Sequence, residues 1–213
     1  MPTFGFDEGF VQYHAARTMF ISEHVAKWVE ETKGQNKFVL NLGSGVDTRA
    51  FWDQSLKGVS KYIELDTQSV NDYREKVLEE IKAKGELPEK ICERQAISMD
   101  FSKETIKDIT NHGFDKEVPT CWVLEGLVMY LDKDSVLTMY KEIAEISAPS
   151  SLIMVNIMNG APGASGDLVD EVFGAKGWTK AHKTMFGESG FNYGRYPDGK
   201  EPSQVTGFVI YHN

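Results

Sequence analysis

Cysteine is nearly absent from this chain: only Cys92 and Cys121 occur in 213 residues. They stand in neither Cys-x-x-Cys nor Cys/His spacing, and each falls in a strand-like stretch. That predicts buried, reduced thiols and no disulfide framework or zinc site. Positive charge is also in short supply. Lys and Arg total 23 against 32 Asp and Glu, a net charge of −9, and no basic run is present. Nucleic-acid binding draws on clustered cations, and an acidic surface is repelled by anionic lipid, so neither partner is expected. Long apolar runs are missing too, since no stretch approaches the ~20 residues of a membrane span. The opening Met1-Pro-Thr-Phe-Gly-Phe-Asp-Glu8 lacks the basic and apolar blocks of a secretory leader. A cytoplasmic protein is expected. What remains, 41% hydrophobic and 26% charged residues, suits one globular domain with a sizeable core.

The stretch that organises the rest is Phe38-Val-Leu-Asn-Leu-Gly-Ser-Gly-Val-Asp-Thr-Arg-Ala-Phe51. Its apolar start is too short for a helix and suits a parallel strand buried on both faces. Gly43 and Gly45 then turn the chain sharply and let backbone N–H groups approach a ligand. A dinucleotide fingerprint needs a third glycine three positions later, and Thr48 stands there instead. A second strand, Tyr62-Ile-Glu-Leu-Asp66, ends in a carboxylate about 20 residues beyond the glycines, the separation of a ribose-hydroxyl acceptor. An adenosine ligand without a pyrophosphate fits this pattern, with S-adenosylmethionine the leading candidate.

Helix and strand alternate along the chain. Residues 9–33 carry one apolar face at helical spacing, with a break expected near Ser22. Residues 47–56 read as the helix after the first strand, and residues 69–84 as a charged, solvated helix. A third strand over 92–99 and a helix over 103–111 follow. The apolar strand Thr120-Cys-Trp-Val-Leu124 precedes an amphipathic helix over 133–147, and residues 151–158 form a central strand. Regular periodicity then weakens through a glycine-rich loop and one helix over 167–174, until a last strand over 205–212. The expectation is an α/β fold, a mostly parallel doubly wound sheet with an antiparallel C-terminal strand. All of it fits a single domain, with an N-terminal helical segment (1–36), a cofactor-binding core (37–158) and an acceptor-side loop, helix and last strand (159–213).

In such a sheet, ligands bind beyond the carboxyl ends of the strands. Gly43, Asp66, Asp100 and Glu125 end strands. Three carboxylates around one glycine turn match a ligand with a sugar, an exocyclic amine and a positive charge. They would also suit Mg²⁺, but oxygen-ligand sites gather carboxylates closer in sequence or bring a phosphate, so no metal is expected. Asp66 and Asp100 have the alternative role of helix caps. Glu125 is harder to explain structurally, because an unpaired carboxylate beside a core is costly. His14, His24, His112, His182 and His212 are scattered and receive no role.

Asn41-Leu-Gly-Ser-Gly-Val-Asp-Thr-Arg49, Tyr62-Ile-Glu-Leu-Asp66 and Leu124-Glu-Gly-Leu-Val-Met-Tyr-Leu131 together resemble the leucine carboxyl methyltransferase family, which includes polyketide-type O-methyltransferases of bacteria. The similarity runs from about Arg17 to Met158. It implies a Rossmann-like class I methyltransferase fold with S-adenosylmethionine as donor. Carried over position by position, it makes Arg17 the partner of the donor carboxylate, where guanidinium offers bidentate hydrogen bonds. It sets Gly43 and Gly45 against the methionine portion, Asp66 at the ribose, Asp100 and Phe101 at the adenine, and Glu125 near the methionine amino group. Tyr130, on the acceptor side, is the catalytic candidate. Asn41 departs from the family, which has an acidic residue in that neighbourhood. The implied activity is methyl transfer to a carboxylate or hydroxyl of a small molecule. A carboxylate acceptor is already ionised, whereas a hydroxyl needs a base. Arg195 and Lys200 are available to orient an anionic acceptor. A non-catalytic donor-binding regulator and a protein C-terminal carboxyl methyltransferase are the alternatives.

Overall fold

The computed structural model describes residues 8–101 and 103–213. The opening residues 1–7, on which the absence of a leader and the start of the N-terminal segment were read, lie outside them. Helix α1 (Glu8–Glu31) leads to β1 (Phe38–Leu42), and then come β2 (Lys61–Asp66), α2 (Gln68–Ala83), β3 (Glu93–Ser98) and β4 (Thr120–Leu124). Helix α3 (Lys133–Ile146), β5 (Leu152–Met158), α4 (Gly166–Val169), β6 (Thr179–Met185) and β7 (Thr206–His212) complete the chain.

The strands form one sheet in the order β3-β2-β1-β4-β5-β7-β6. The first five strands pair in parallel, and β7 runs antiparallel to both β5 and β6. From β1 the chain builds outward through β2 and β3, then returns to add β4 on the other side of β1. The strand order reverses there. Leu42 at the end of β1 faces Leu124 at the end of β4, so the crevice at this reversal opens directly above Gly43 and Glu125.

Period-two alternation along the buried strands divides the core between the two faces. Val39, Tyr62, Cys121, Val123 and Met154 pack with Ala16, Phe20 and Trp28 of α1. Leu40, Leu42, Ile63, Leu65, Trp122 and Leu124 point the other way, onto Val136, Tyr140 and Ile143 of α3. Cys121 is buried as expected, and burial raises its thiol pKa; Cys92 precedes β3, is half-buried, and its thiol is pushed up to about 11 by burial. Among the described residues no helix is long and apolar enough to cross a membrane, and no group of three or more His, Cys, Asp or Glu is placed to hold a metal.

Four local expectations are corrected. Helix α1 is continuous through Ser22, whose hydroxyl donates to Asp53 Oδ2 at 2.6 Å instead of breaking the helix. Residues 47–56 form two short 3₁₀ turns, Arg49–Phe51 and Gln54–Leu56, in place of an α-helix. Here side chains compete with the helical ladder: Asp47 accepts from the Arg49 N–H at 2.6 Å, and Asp53, extended at ψ 104°, accepts from Ser55 N at 3.0 Å. Strand β6 lies where only irregular structure was read. It is an outer strand, mostly exposed, with Lys180 and Lys183 and an irregular register between Lys180 and His182, so it lacks the apolar alternation that marks a strand. Residues 106–112 are likewise a 3₁₀ helix, and α4 passes into a π-helical turn, Asp170–Gly174.

Phe20 is fully buried where α1 meets Phe191 and Phe208, with ring centroids 5.0 and 4.7 Å away. Phe20→Ala is expected to lower the unfolding free energy by ~3–5 kcal/mol, measured as a reduced urea midpoint with unchanged slope.

Candidate functional site

A cavity of about 430 Å³ occupies the crevice at the strand reversal. Its floor is the turn after β1, Gly43 to Thr48, and its walls are Arg17 and Thr18 of α1, Arg49 of the first 3₁₀ turn with Trp52 just after it, and Glu125 after β4. Four of the residues expected at a ligand, Arg17, Gly43, Gly45 and Glu125, are thus brought together.

Glu125 is the junction of this site. Its Oε1 accepts from Arg17 Nε at 2.8 Å, and its Oε2 pairs with Arg49 Nη1 at 2.8 Å. Arg49 also pairs with Asp47, which accepts from Asn41 Nδ2 at 3.1 Å. Burial by itself raises the Glu125 pKa, but Arg49 and Arg17 more than offset it and hold the carboxyl below the ordinary glutamate value. Burial likewise disfavours the charge on Arg49, and the carboxylates of Asp47 and Glu125 reverse that, so its pKa is raised. The result is a largely desolvated set of cations and anions, ionised because each faces an opposite charge. Gly126 makes room for it. With φ +68°, it brings the backbone under Arg17, and an added Cβ would stand 3.2 Å from Arg17 Nη1.

The glycine turn is held from the side and from behind. Gly43, at φ +65°, packs so closely on Leu127 that a Cβ would come within 2.8 Å of its Cδ1. Asp66 Oδ2 accepts from Gly45 N at 2.7 Å while Oδ1 accepts from Thr67 N at 2.8 Å. Asp66 therefore reaches the cavity through Gly45 and is not itself part of the lining. Arg74 is the residue that sequence reasoning missed. Nearly fully buried on α2, it donates to Ser44 Oγ at 2.8 Å, to the Gly45 carbonyl at 2.7 Å and to Asn71 Oδ1 at 2.6 Å. Behind it lies Glu64, fully buried, with Arg74 Nη2 at 3.3 Å and Arg94 Nη2 at 2.6 Å. The density of charge on α2 concealed this inward face; Glu64, a carboxylate inside an apolar strand, was the available signal.

The remaining candidates lie apart from this cavity. Asp100 follows β3, its Oδ2 accepting from Lys103 Nζ at 2.6 Å. Phe101 lines a second cavity of about 340 Å³ between the residues after β3 and α3. Tyr130 is 82% exposed on the 3₁₀ turn Val128–Tyr130 and lines neither cavity.

Architecture and crevice together define a class. A solved Thermobifida fusca protein described as a methyltransferase superposes with a TM-score of 0.62 at 16% identity, over 93% of this chain and 80% of its own. A magnesium protoporphyrin IX methyltransferase from Synechocystis PCC 6803, solved with bound S-adenosylmethionine, gives 0.57 at 11% identity, over 93% and 81%. The fold is the Rossmann-like fold of these methyltransferases. The chain belongs to the leucine carboxyl methyltransferase family, whose model matches residues 5–144. A Mycobacteroides abscessus protein, by name an S-adenosyl-L-methionine-dependent methyltransferase, is 29% identical over 153 residues, which are 72% of this chain and 48% of that protein. The chain spans about half the length of the curated relatives it matches. The two most specific stretches of the resemblance meet physically, because Arg49 of one is ion-paired with Glu125 of the other.

Burial pushes the Glu64 carboxyl up to about 7 against the opposing pull of Arg74 and Arg94. The folded state thus holds this proton more tightly than the unfolded chain, where glutamate titrates near 4.5. Its contribution to stability is full below pH 4.5 and is lost as pH rises through about 7. Urea unfolding at a series of pH values is expected to show stability declining across that window, with a shallower decline in Glu64→Gln.

Proposed function

We propose that this chain holds S-adenosylmethionine in the switch-point cavity and transfers its methyl group to an oxygen of a small-molecule acceptor, a carboxylate or a hydroxyl. The observation that carries this reading is Arg17 beside Glu125 on one cavity wall, 2.8 Å apart and each partly exposed to it. A guanidinium next to an ionised carboxylate complements the zwitterionic end of an amino acid. Arg17 receives the carboxylate through two N–H donors, and Glu125 receives the ammonium. Arg49 remains behind Glu125 and keeps it charged when Arg17 turns to the ligand. The residues present therefore fit the donor.

The glycine turn, pinned by Asp66 and Arg74, supplies a backbone floor for the methionine portion. Asp66 retains an acceptor lone pair on each oxygen beyond its bonds to Gly45 and Thr67, which suits ribose hydroxyls. Asp100 and Phe101 are assigned to the adenine end. When bound, the donor would supply a sulfonium methyl, its S–C electron pair staying on sulfur as an acceptor oxygen formed the new C–O bond, and a hydroxyl acceptor would give up its proton to water. The chain's contribution is to hold donor and acceptor in line, and positioning of this kind is a large share of such an acceleration. We place the protein in the cytoplasm, where two reduced thiols persist.

Titration calorimetry tests the reading. S-Adenosylmethionine and S-adenosylhomocysteine are both expected to bind, and Arg17→Gln is expected to weaken each about 10- to 100-fold by removing charge-assisted hydrogen bonds. Absence of binding by either ligand to the unaltered chain would remove it. Tyr130→Phe, at an exposed position, is expected to leave donor affinity unchanged; a fall in kcat alone would mark Tyr130 as an acceptor contact.

A further inference from the structure

Residues 186–205 connect β6 to β7, and the register of the sheet sets where they emerge. Thr206 begins β7 opposite Met158, the last residue of β5, and Met185 ends β6 opposite Gly207. Because β5 runs parallel to β4, this connection rises at the same end of the sheet as Gly43 and Glu125. It is well braced. The Tyr196 ring meets Phe186 edge-on at 5.0 Å and donates its hydroxyl to the Glu201 carbonyl at 2.8 Å. The same ring fills the space over Gly187, where an added Cβ would come within 2.8 Å of it. Ser203 N donates to the Phe186 carbonyl at 2.7 Å.

Between this connection and the first turns of α1 lies a cavity of about 580 Å³, lined in part by Gln12, Phe186, Arg195, Tyr196 and Lys200. Two aromatic rings form its apolar wall, and two cations stand over it. Arg195 donates to the neutral Gln12 Oε1 at 2.7 Å, and among the described residues neither Arg195 nor Lys200 has a carboxylate in ion-pairing range. In a chain of net charge −9, with Asp198 and Glu201 close by in sequence, two cations that make no ion pair among the described residues stand beside an aromatic wall, a combination suited to an anion with an apolar body.

One side chain, Tyr13, touches a lining residue of this cavity and one of the switch-point cavity. Its ring meets Phe186 at 5.3 Å, and the Arg17 guanidinium lies 5.6 Å from the ring centroid. Its hydroxyl donates to Asn156 Oδ1 at 3.2 Å, the same atom to which Arg17 Nη1 donates at 3.4 Å. A molecule seated against Phe186 thus lies next to Tyr13, in a cavity that Arg195 and Lys200 also line.

We propose that this cavity beside Phe186 is the acceptor pocket and that it selects an anionic small molecule with a flat, apolar body. The anionic group pairs with Arg195 and Lys200, the body lies on Phe186 and Tyr196, and the end to be methylated points past Tyr13 toward the donor. Arg195 and Lys200 set specificity here, and this assignment rests on the methyl-transfer reading above.

The test uses the full chain and two probes of one shape, naphthoate and its neutral counterpart naphthylmethanol, titrated calorimetrically with and without S-adenosylhomocysteine. Naphthoate is expected to bind about tenfold or more tightly than naphthylmethanol, and the double variant Arg195→Gln/Lys200→Gln to lose about that factor, the scale of a charge-assisted contact. Both positions are exposed, so the variant is expected to fold, and its affinity for S-adenosylhomocysteine should stay within about twofold because neither residue lines the switch-point cavity. Equal binding of the two probes, unchanged naphthoate affinity in the double variant, absence of naphthoate binding, or mutual exclusion of naphthoate and S-adenosylhomocysteine would each overturn the pocket assignment. If S-adenosylhomocysteine fails to bind while naphthoate still depends on the two cations, the methyl-transfer reading falls and the anion pocket stands.

Discussion

One largely buried carboxylate, Glu125, is shared by two guanidiniums that reach it from different parts of the chain, Arg17 on α1 and Arg49 on the turn after β1. Desolvating charges is expensive, and a buried ion pair is tolerated because each member answers the other; removing one typically costs ~3–5 kcal/mol. The chain cannot bury Glu125 at the end of β4 without also delivering both arginines. Helix, turn and strand are thereby tied together around the crevice, and the same charges face the cavity. The strain of keeping them dry and their readiness to meet a charged ligand have one origin.

Behind the glycine turn a second charged group does a related task. Arg74 grips Ser44 and the Gly45 carbonyl from α2, and on the sheet side it faces Glu64, which it shares with Arg94. A turn rich in glycine is floppy by itself, since glycine loses the most backbone entropy on ordering. Asp66 on one side and Arg74 on the other set its shape before any ligand arrives. Preorganised donors of this kind lower the ordering cost of binding. The far end of the crevice is different, because the connection from β6 to β7 leaves Arg195 and Lys200 without carboxylate partners among the described residues. Charges at the glycine turn are thus paired with one another, while Arg195 and Lys200 make no ion pair among the described residues.

Much of the fold was legible because its signals are local. The apolar runs at Phe38–Leu42 and Thr120–Leu124 are buried at every position, as continuous hydrophobic strands of a doubly covered sheet must be. The 3.6-residue spacing of Val136, Tyr140 and Ile143 put one face of α3 on the core. Failure came where tertiary contact overrode local preference. Residues 47–56 have helical composition, yet Arg49 is drawn to Glu125, and Asp47 and Asp53 cap separate turns. Strand β6 has no strand-like alternation because it is mostly solvent-exposed; its order comes from pairing with β7, which no window of its own residues reveals.

The candidate site divides along the same line. By itself the sequence determined the glycine turn, the carboxylates that end β2 and β4, and membership in a family built on such a turn, because strand-ending residues and glycine spacing are properties of short segments. The tertiary structure decided which charges meet. Arg17 and Glu125 stand 108 positions apart in sequence, and only the packing of α1 over the β1–β4 crevice brings them to 2.8 Å. It also decided that Arg74 faces inward from a helix whose composition reads as solvated, and that the late irregular residues come to stand beside Tyr13. Coulombic pairing and burial act through space, and a chain's own order records neither until it is folded.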